Sequence, residues 1–415
     1  MTAHIILDLS RLLSRAAFPA PTGIDRVELA YAQALIARRD DGLTFAAMHP
    51  LGRFAHLPAA ASRRFVALTA ARWQAQGSDD GAAARVARRL LAAALIRGQA
   101  GLREVLERQV RVVGRPVYLN VSHHHLDRPG VIEGTLRRDR AAFVCLVHDL
   151  IPIEFPEYAR PNEPERHRRR VDTVARLADA VIVNSEATRR SLQPYLGLAG
   201  RSTPVLVAPL GIHPLLPAPP ALSAADPRPT FVLVSTIEPR KNHLLVLHLW
   251  RRLAEEMGPA CPRLVLVGRR GWENENAVDM IERCPPLRGV VEERSAMSDR
   301  EMAALLRGTA AALLPSFAEG YGLPLAEALA AGVPALCSDL PALREVGGDA
   351  PEYLDPLDGL GWLGAVRDYA LPGSARRAMQ LARLAGWRAP SWEAHMDAAL
   401  AFIDAAAGSH AQRVV

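Results

Sequence analysis

The feature that most narrows the fold is a series of short, unbroken apolar runs, each closed by a turn signal. The first half carries HIILDLS (4–10), LTFAAM (43–48), PVYLNVS (116–122), FVCLVHD (143–149), AVIVNS (180–185) and PVLVAPL (204–210). The second half carries TFVLVST (230–236), RLVLVG (263–268), GVVEE (289–293), AALLPS (311–316) and VPALCS (333–338). A strand with one wet face alternates polar and apolar residues. These runs do not alternate, so they suit strands buried on both faces, as in parallel sheets covered by helices. Helical patterns fill the intervals, and the alternation of strand and helix predicts a doubly wound α/β architecture.

At 415 residues the chain exceeds one ordinary hydrophobic core, so two domains are expected. The stretch 214–229, with six prolines, can continue neither strand nor helix and reads as a linker. The predicted organisation is one α/β domain over 1–213, the linker, a second α/β domain over 230–385, and a terminal segment over 386–415. A formal net charge of +6 favours an anionic partner without choosing among nucleic acid, membrane and phosphorylated ligand. Cys145, Cys261, Cys284 and Cys337 form no CxxC pair and read as reduced thiols. Residues 4–9 enter a strand directly, without a leader pattern, and no apolar run approaches the ~18 residues that span a bilayer. A reducing cytoplasm is therefore the expected location. The arginine-rich stretch 82–115 reads either as surface helices packed on a sheet or as a basic face resting on an anionic membrane from the cytoplasmic side.

Two segments carry candidate chemistry. In SFAEGYGLPLAE (316–327), a strand ends in a loop with two glycines, and Pro324 then opens a helix expected to run to Gly332. Backbone amides in such a loop and at the helix start favour an anion, and the carboxylates of Glu319 and Glu327 accept hydrogen bonds from hydroxyl groups. In STIEPRKN (235–242), Arg240 and Lys241 stand at a strand end, followed by a helix from about His243. Ligands of open α/β sheets bind at the carboxyl ends of the strands. There an Arg fork and a Lys point charge suit a pyrophosphate. Each segment alone has an ordinary reading, a βα turn or a solvated cation pair. Together they place cations, amides and hydroxyl acceptors on one sheet edge, which suits a sugar diphosphate.

The order EPRKN, then LVLVGRRGW (264–272), then two glutamates eight residues apart in EGYGLPLAE resembles the GT-B-fold retaining glycosyltransferases of family four. EPRKN with GRRGW is most similar to the bacterial polysaccharide mannosyltransferases of that family. The resemblance implies two Rossmann-like domains facing a cleft, with a C-terminal helix crossing back to the first. It implies that Glu319 contacts donor-sugar hydroxyls, that Glu327 holds the ribose, and that Arg240 and Lys241 neutralise the diphosphate. It further implies that Gly320, Tyr321, Gly322, Leu323 and Gly268 line the donor site. PTGIDRVELAYAQAL (21–35) resembles the family's glycine loop, with Gly23 present and Ile24 where many members carry a second glycine. His148 and Asp149 match the position facing the donor sugar, so His148, Glu319, Arg240 and Lys241 are expected to carry catalysis.

The remaining expectations are these. His123, Asp149, Arg166 and Arg169 are candidates for the acceptor. Three consecutive histidines, 123–125, alternate faces on an extended chain and do not converge on one ion, so no metal is expected. No cofactor is expected beyond a nucleotide-sugar co-substrate, and no nucleic acid. The stretch 391–403 reads as an amphipathic helix with Trp392 as a packing anchor. The resemblance favours transfer of mannose from GDP-mannose to a saccharide or lipid-linked saccharide in capsule or lipopolysaccharide synthesis. A nucleotide-sugar epimerase and a non-catalytic sugar-nucleotide-binding subunit are the alternatives.

Overall fold

A computed structural model describes residues 2–18, 21–74, 81–96, 115–213, 227–295 and 297–408. The chain forms two compact units: Met1–Ile153 with Pro161–Gly211 and Trp392–Val415, and Glu154–Arg160 with Ile212–Ser391. Most of the proline-rich stretch, and the part of 82–115 beyond residue 96, lie outside the described residues.

The first unit is built on seven strands: β1 (Ile5–Asp8), β2 (Leu43–Met48), β3 (Phe54–Leu57), β4 (Val117–Asn120), β5 (Ala142–Val147), β6 (Ala180–Val183) and β7 (Val205–Val207). Their order is β3-β2-β1-β4-β5-β6-β7, parallel throughout except for β3, which runs antiparallel to β2. The second unit has β8 (Thr230–Val234), β9 (Arg263–Val267), β10 (Val291–Arg294), β11 (Thr309–Leu314), β12 (Ala335–Ser338) and β13 (Glu352–Leu354), in the order β10-β9-β8-β11-β12-β13 and all parallel. Strand order reverses between β1 and β4 in one sheet and between β8 and β11 in the other, and such switch points open a crevice at the strands' carboxyl ends.

All eleven apolar runs contain strands; most have side chains covered on both faces, whereas β7 and β10, at the sheet edges, are half-buried. The two strands that the runs do not announce, β3 and β13, are short edge strands. β3 returns through a tight turn closed by His49 N–H to Arg53 O (2.7 Å), a geometry set by local turn chemistry rather than by an apolar run. The helix expected over 324–332 runs Leu323–Ala330, with Gly322 in the left-handed region (φ 107°) before it.

Each unit has its own core. In the second, the helix His243–Met257 buries Val246, Leu247, Trp250 and Leu253 at helical spacing, and Trp250 meets Phe231 of β8 edge-on at 5.5 Å. In the first, the terminal helix Trp392–Gly408 closes the fold. His395 Nδ1 donates to Pro209 O (3.0 Å), which leaves Nε2 to accept from Tyr31 Oη (2.7 Å). Trp392 lies edge-on to the Tyr31 and His395 rings, a packing contact. The helix Ala82–Ile96 buries Ala83, Ala87, Leu90 and Ala94, with Arg88 and Arg89 on its exposed side. Among the described residues no helix is long and apolar enough to cross a membrane.

Candidate functional site

The switch point of the second sheet collects both sequence motifs. β8 delivers 235–242 and β11 delivers 315–322, so residues 78 positions apart meet side by side. Asn242, in the left-handed region (φ 56°), ends the short 3₁₀ turn Pro239–Lys241. Its Nδ2 donates to Pro315 O (3.1 Å) and Pro356 O (3.0 Å), tying the two loops together. Phe317 N–H donates to Arg240 O (2.9 Å) and completes the junction.

The charged side chains form one network. Lys241 Nζ donates to Glu319 Oε1 (2.5 Å), Arg240 Nη1 to Glu319 Oε2 (3.2 Å) and to Ala318 O (2.6 Å), and Arg240 Nη2 to Glu238 Oε1 (2.8 Å). Ser316 Oγ adds a hydrogen bond to Glu319 Oε1 (2.7 Å). Burial alone would raise the Glu319 carboxyl. The Lys241 and Arg240 charges, with the hydrogen bonds from Lys241 and Ser316, outweigh it and hold the group at about 2. Burial, followed by the neighbouring Arg240 charge, lowers Lys241 below its ordinary range in spite of Glu319. Two cations thus face two carboxylates, and a diphosphate reaching this crevice would compete with Glu319 for Lys241 and Arg240.

Two helices begin beside this network, His243–Met257 and Leu323–Ala330, and their first amides favour negative charge. Tyr321 is buried in the glycine loop, and Glu327 is half-buried about one turn into the second helix. Gly268 lies where the loop after β9 crosses the loop after β8: a Cβ there would fall 1.9 Å from Ser235 O. Its glycine is required by backbone packing. Glu238, Asn242 and Ser316 organise the network, although attention to the cations alone passes over them. Their only sequence signal is a polar residue within three positions of each key charge.

In the first unit, His148 follows β5 and is buried. Its Nε2 donates to Val121 O (2.8 Å), and its backbone N–H donates to His123 Nε2 (3.1 Å), so that His123 nitrogen carries no proton. Burial lowers His148 to about 4 and drives His123 down as well, aided by the neighbouring histidines. His167 joins them, its ring centroid 5.5 Å from His123, while His123 and His148 stand 5.2 Å apart. The chain at 123–125 is not extended: His123 and His125 have φ of 59° and 62°, and the ring of His124 turns instead onto His125 at 4.2 Å. Among the described residues no group of three or more His, Cys, Asp or Glu side chains is arranged to hold a metal ion.

Asp149 Oδ1 accepts from Ile151 N–H (3.1 Å), and Arg166 Nε donates to Asp127 Oδ2 (3.0 Å). Arg169 is exposed on the same helix, Glu163–Leu177, whereas Arg170 lies close enough to His123 and His124 to lower both. Helical spacing is the signal for that difference, since 166 and 170 share a face. Gly23 opens the helix Gly23–Arg38, whose start is fixed by a capping box between Thr22 and Asp25. Asp25 is fully buried and paired with Arg11 at 2.6 Å. One turn further on, Glu28 is buried completely. Its Oε1 accepts from Leu12 N–H (3.2 Å), and Oε2 has no hydrogen-bond partner among the described residues.

A family profile described as "Glycosyl transferases group 1" matches residues 218–352, a span that contains the whole network and all three second-half motifs. That matched stretch, about a third of the chain, is similar to the group 1 glycosyltransferases. Among curated relatives, the chain is 37% identical to the O-antigen chain mannosyltransferase B of Escherichia coli over 125 residues, 30% of this chain and 32% of that protein. It is 26% identical to the serotype-specific mannosyltransferase WbdA of Escherichia coli over 227 residues, 50% of this chain and 27% of that protein. The matches thus span about a third or less of those relatives' own lengths. A solved α,α-trehalose-phosphate synthase (UDP-forming) from Burkholderia vietnamiensis shares the fold of this chain. The TM-score is 0.61 at 14% identity, over 99% of this chain and 98% of that one. The fold is therefore GT-B, with two parallel-sheet α/β units.

Proposed function

We propose that this chain is a glycosyltransferase that moves mannose, with retention of anomeric configuration, from GDP-mannose to a saccharide or lipid-linked saccharide acceptor during cell-surface polysaccharide synthesis. The observation that carries the reading is the Arg240–Lys241–Glu319 network at the β8/β11 switch point, flanked by two helix N-termini. Breaking the bond to a nucleoside diphosphate leaves negative charge on the leaving group. Fixed cations and amides placed where that charge develops stabilise the transition state more than the ground state. When the diphosphate takes up Lys241 and Arg240, the Glu319 carboxylate, ionised at all working pH, becomes available to the sugar hydroxyls.

Mannose is favoured by the two O-antigen-type mannosyltransferase relatives, one of them 37% identical over the matched stretch. Retention through a covalent intermediate needs a carboxylate free to attack. Glu319 is held by cations before the donor binds and is assigned to the sugar hydroxyls after it, so the reading adopts same-face attack, in which the departing phosphate accepts the acceptor's proton. The neutral, buried His148 and His123 suit hydrogen bonding to hydroxyl groups better than pairing with charge.

The test is a panel of nucleotide sugars. GDP-mannose should raise the melting temperature of the protein more than UDP- or ADP-sugars at equal concentration, because a ligand of the folded state stabilises it. Incubation with the preferred donor and a mannose-bearing acceptor should give a product whose new linkage keeps the donor's configuration by NMR. An inverted linkage, or conversion of the donor sugar without any acceptor, would sink this reading.

A further inference from the structure

Residues 154–160 pack with the second unit, although the chain on either side belongs to the first. This strap touches both loops that build the network. The Tyr158 ring lies parallel to Phe317 (8° between planes, centroids 5.5 Å apart), and Phe155 stacks beside it at 6.2 Å. Trp272 Nε1 donates to Tyr158 O (3.1 Å), and the Arg160 guanidinium sits 4.6 Å from the Trp272 ring centroid. The loop around Trp272 is in turn laid on the loop after β8, with Gly271 N–H donating to Ile237 O (2.9 Å). Tyr158 Oη makes no hydrogen bond among the described residues, so its side chain acts through the face of its ring.

Phe317 is the point where this matters. Its amide holds Arg240 O, the next residue's carbonyl takes the Arg240 guanidinium, and Glu319 follows. A ring clamped against Tyr158 fixes the backbone from which Glu319 meets both cations. We infer that Tyr158 is a positioning residue: by stacking on Phe317 it sets the geometry of the Arg240–Lys241–Glu319 network and hence the affinity for a nucleoside diphosphate. An aromatic pair of this kind shifts a local equilibrium by about two- to tenfold beyond the effect of its area. That is enough to bias a loop without deciding whether the domain folds. The inference rests on the proposed donor site, and part of its test is independent of that site.

The independent part is amide hydrogen exchange in the full chain. Tyr158→Ala should speed exchange at 317–321 at least tenfold, while Tyr158→Phe should match wild type. The dependent part is calorimetry with GDP and steady-state kinetics with the preferred nucleotide sugar. Tyr158→Ala should raise Kd and KM at least fivefold with kcat changed less than twofold, and Tyr158→Phe should restore both. Trp272→Phe, which removes only the bond to Tyr158 O, should raise KM about twofold and serves if Tyr158→Ala does not fold. Unchanged exchange at 317–321 in Tyr158→Ala overturns the inference. A lowered melting temperature with unchanged Kd and KM overturns it equally, since that marks a merely structural contact. If wild type takes up no GDP or other nucleoside diphosphate, the donor reading fails and the exchange result alone decides the role of the strap.

Discussion

The two switch points solve opposite electrostatic problems. In the second unit, Lys241 and Arg240 bracket Glu319, and the charges of the partners hold that carboxyl at about 2 in spite of burial. In the first unit, burial wins. His148 falls to about 4, His123 and His124 are driven down, and Glu28, with Asp8 nearby, is raised well above its ordinary value. The second crevice keeps the Glu319 carboxylate charged, although His243 beside Lys241 is driven down to about 3, and the first crevice keeps its histidines and Glu28 neutral. The difference is partners: Glu319 has two cations and a hydroxyl, whereas Glu28 has a single backbone amide and one orphaned oxygen. Charged groups suit a diphosphate, and neutral ones suit hydroxyls.

The largest expected effect breaks the neutral side. A histidine whose pKa is lowered by folding contributes stability that is present above its unfolded pKa near 6.5 and lost as pH falls toward its folded pKa. For His148 that window runs from 6.5 down to about 4. By linkage His148 alone costs about 2 kcal/mol by pH 5, and His123 and His124 act in the same direction. Acidification from pH 7.5 to 5 should lower the denaturant midpoint of the first unit, which carries His123, His124 and His148, by more than that of the second, in which His243 is lowered likewise. Urea melts followed by exchange mass spectrometry would resolve the two units.

Much of the charged side is legible in the sequence and much of the neutral side is not. The apolar runs fix where β8 and β11 end, and the glycines, prolines and cations after them mark the loops. The pairing of Glu319 with both cations is invisible in one dimension, because it depends on two loops 78 residues apart meeting in register. Glu28 carries no sequence signal of burial, yet it is fully buried, with Leu12 N–H bonded to it and the Asp8 carboxylate nearby, both from earlier in the chain. The strap at 154–160 has no periodic signal, and only its long-range stack on Phe317 reveals it. Arg170, rather than the exposed Arg169, stands by the histidines, a choice that follows once the helix register is known.

Next in size is the charged side itself. Lys241→Ala should lower turnover at saturating donor at least about tenfold, since a charge-assisted hydrogen bond is worth about 1.5–3 kcal/mol when it acts in the transition state. Near-normal turnover would remove Lys241 from the mechanism. On the neutral side, Glu28→Gln should stabilise the protein at pH 8 and leave it unchanged at pH 4. A carboxyl raised by folding gives stability that is complete below its unfolded pKa near 4.5 and declines as pH rises. Equal effects at the two pH values would contradict a protonated Glu28. The smallest effect has the opposite sign to intuition. Glu319→Gln removes the anion that competes for Lys241 and Arg240, so GDP should bind roughly threefold tighter by calorimetry while transfer falls. Weaker GDP binding would mean that the carboxylate orders the cations more than it competes for them.

The terminal helix has a consequence for how the chain comes into being. Tyr31, Pro209 and Ala3 wait for His395 and Asp404, and every residue of the second unit must be made before Trp392–Gly408 exists to meet them. Domains generally fold in order of synthesis, but here the unit begun first is finished last. During translation its apolar flank stays uncovered while its younger neighbour is already complete, so a premature stop shortly before residue 392 would damage the oldest part of the protein.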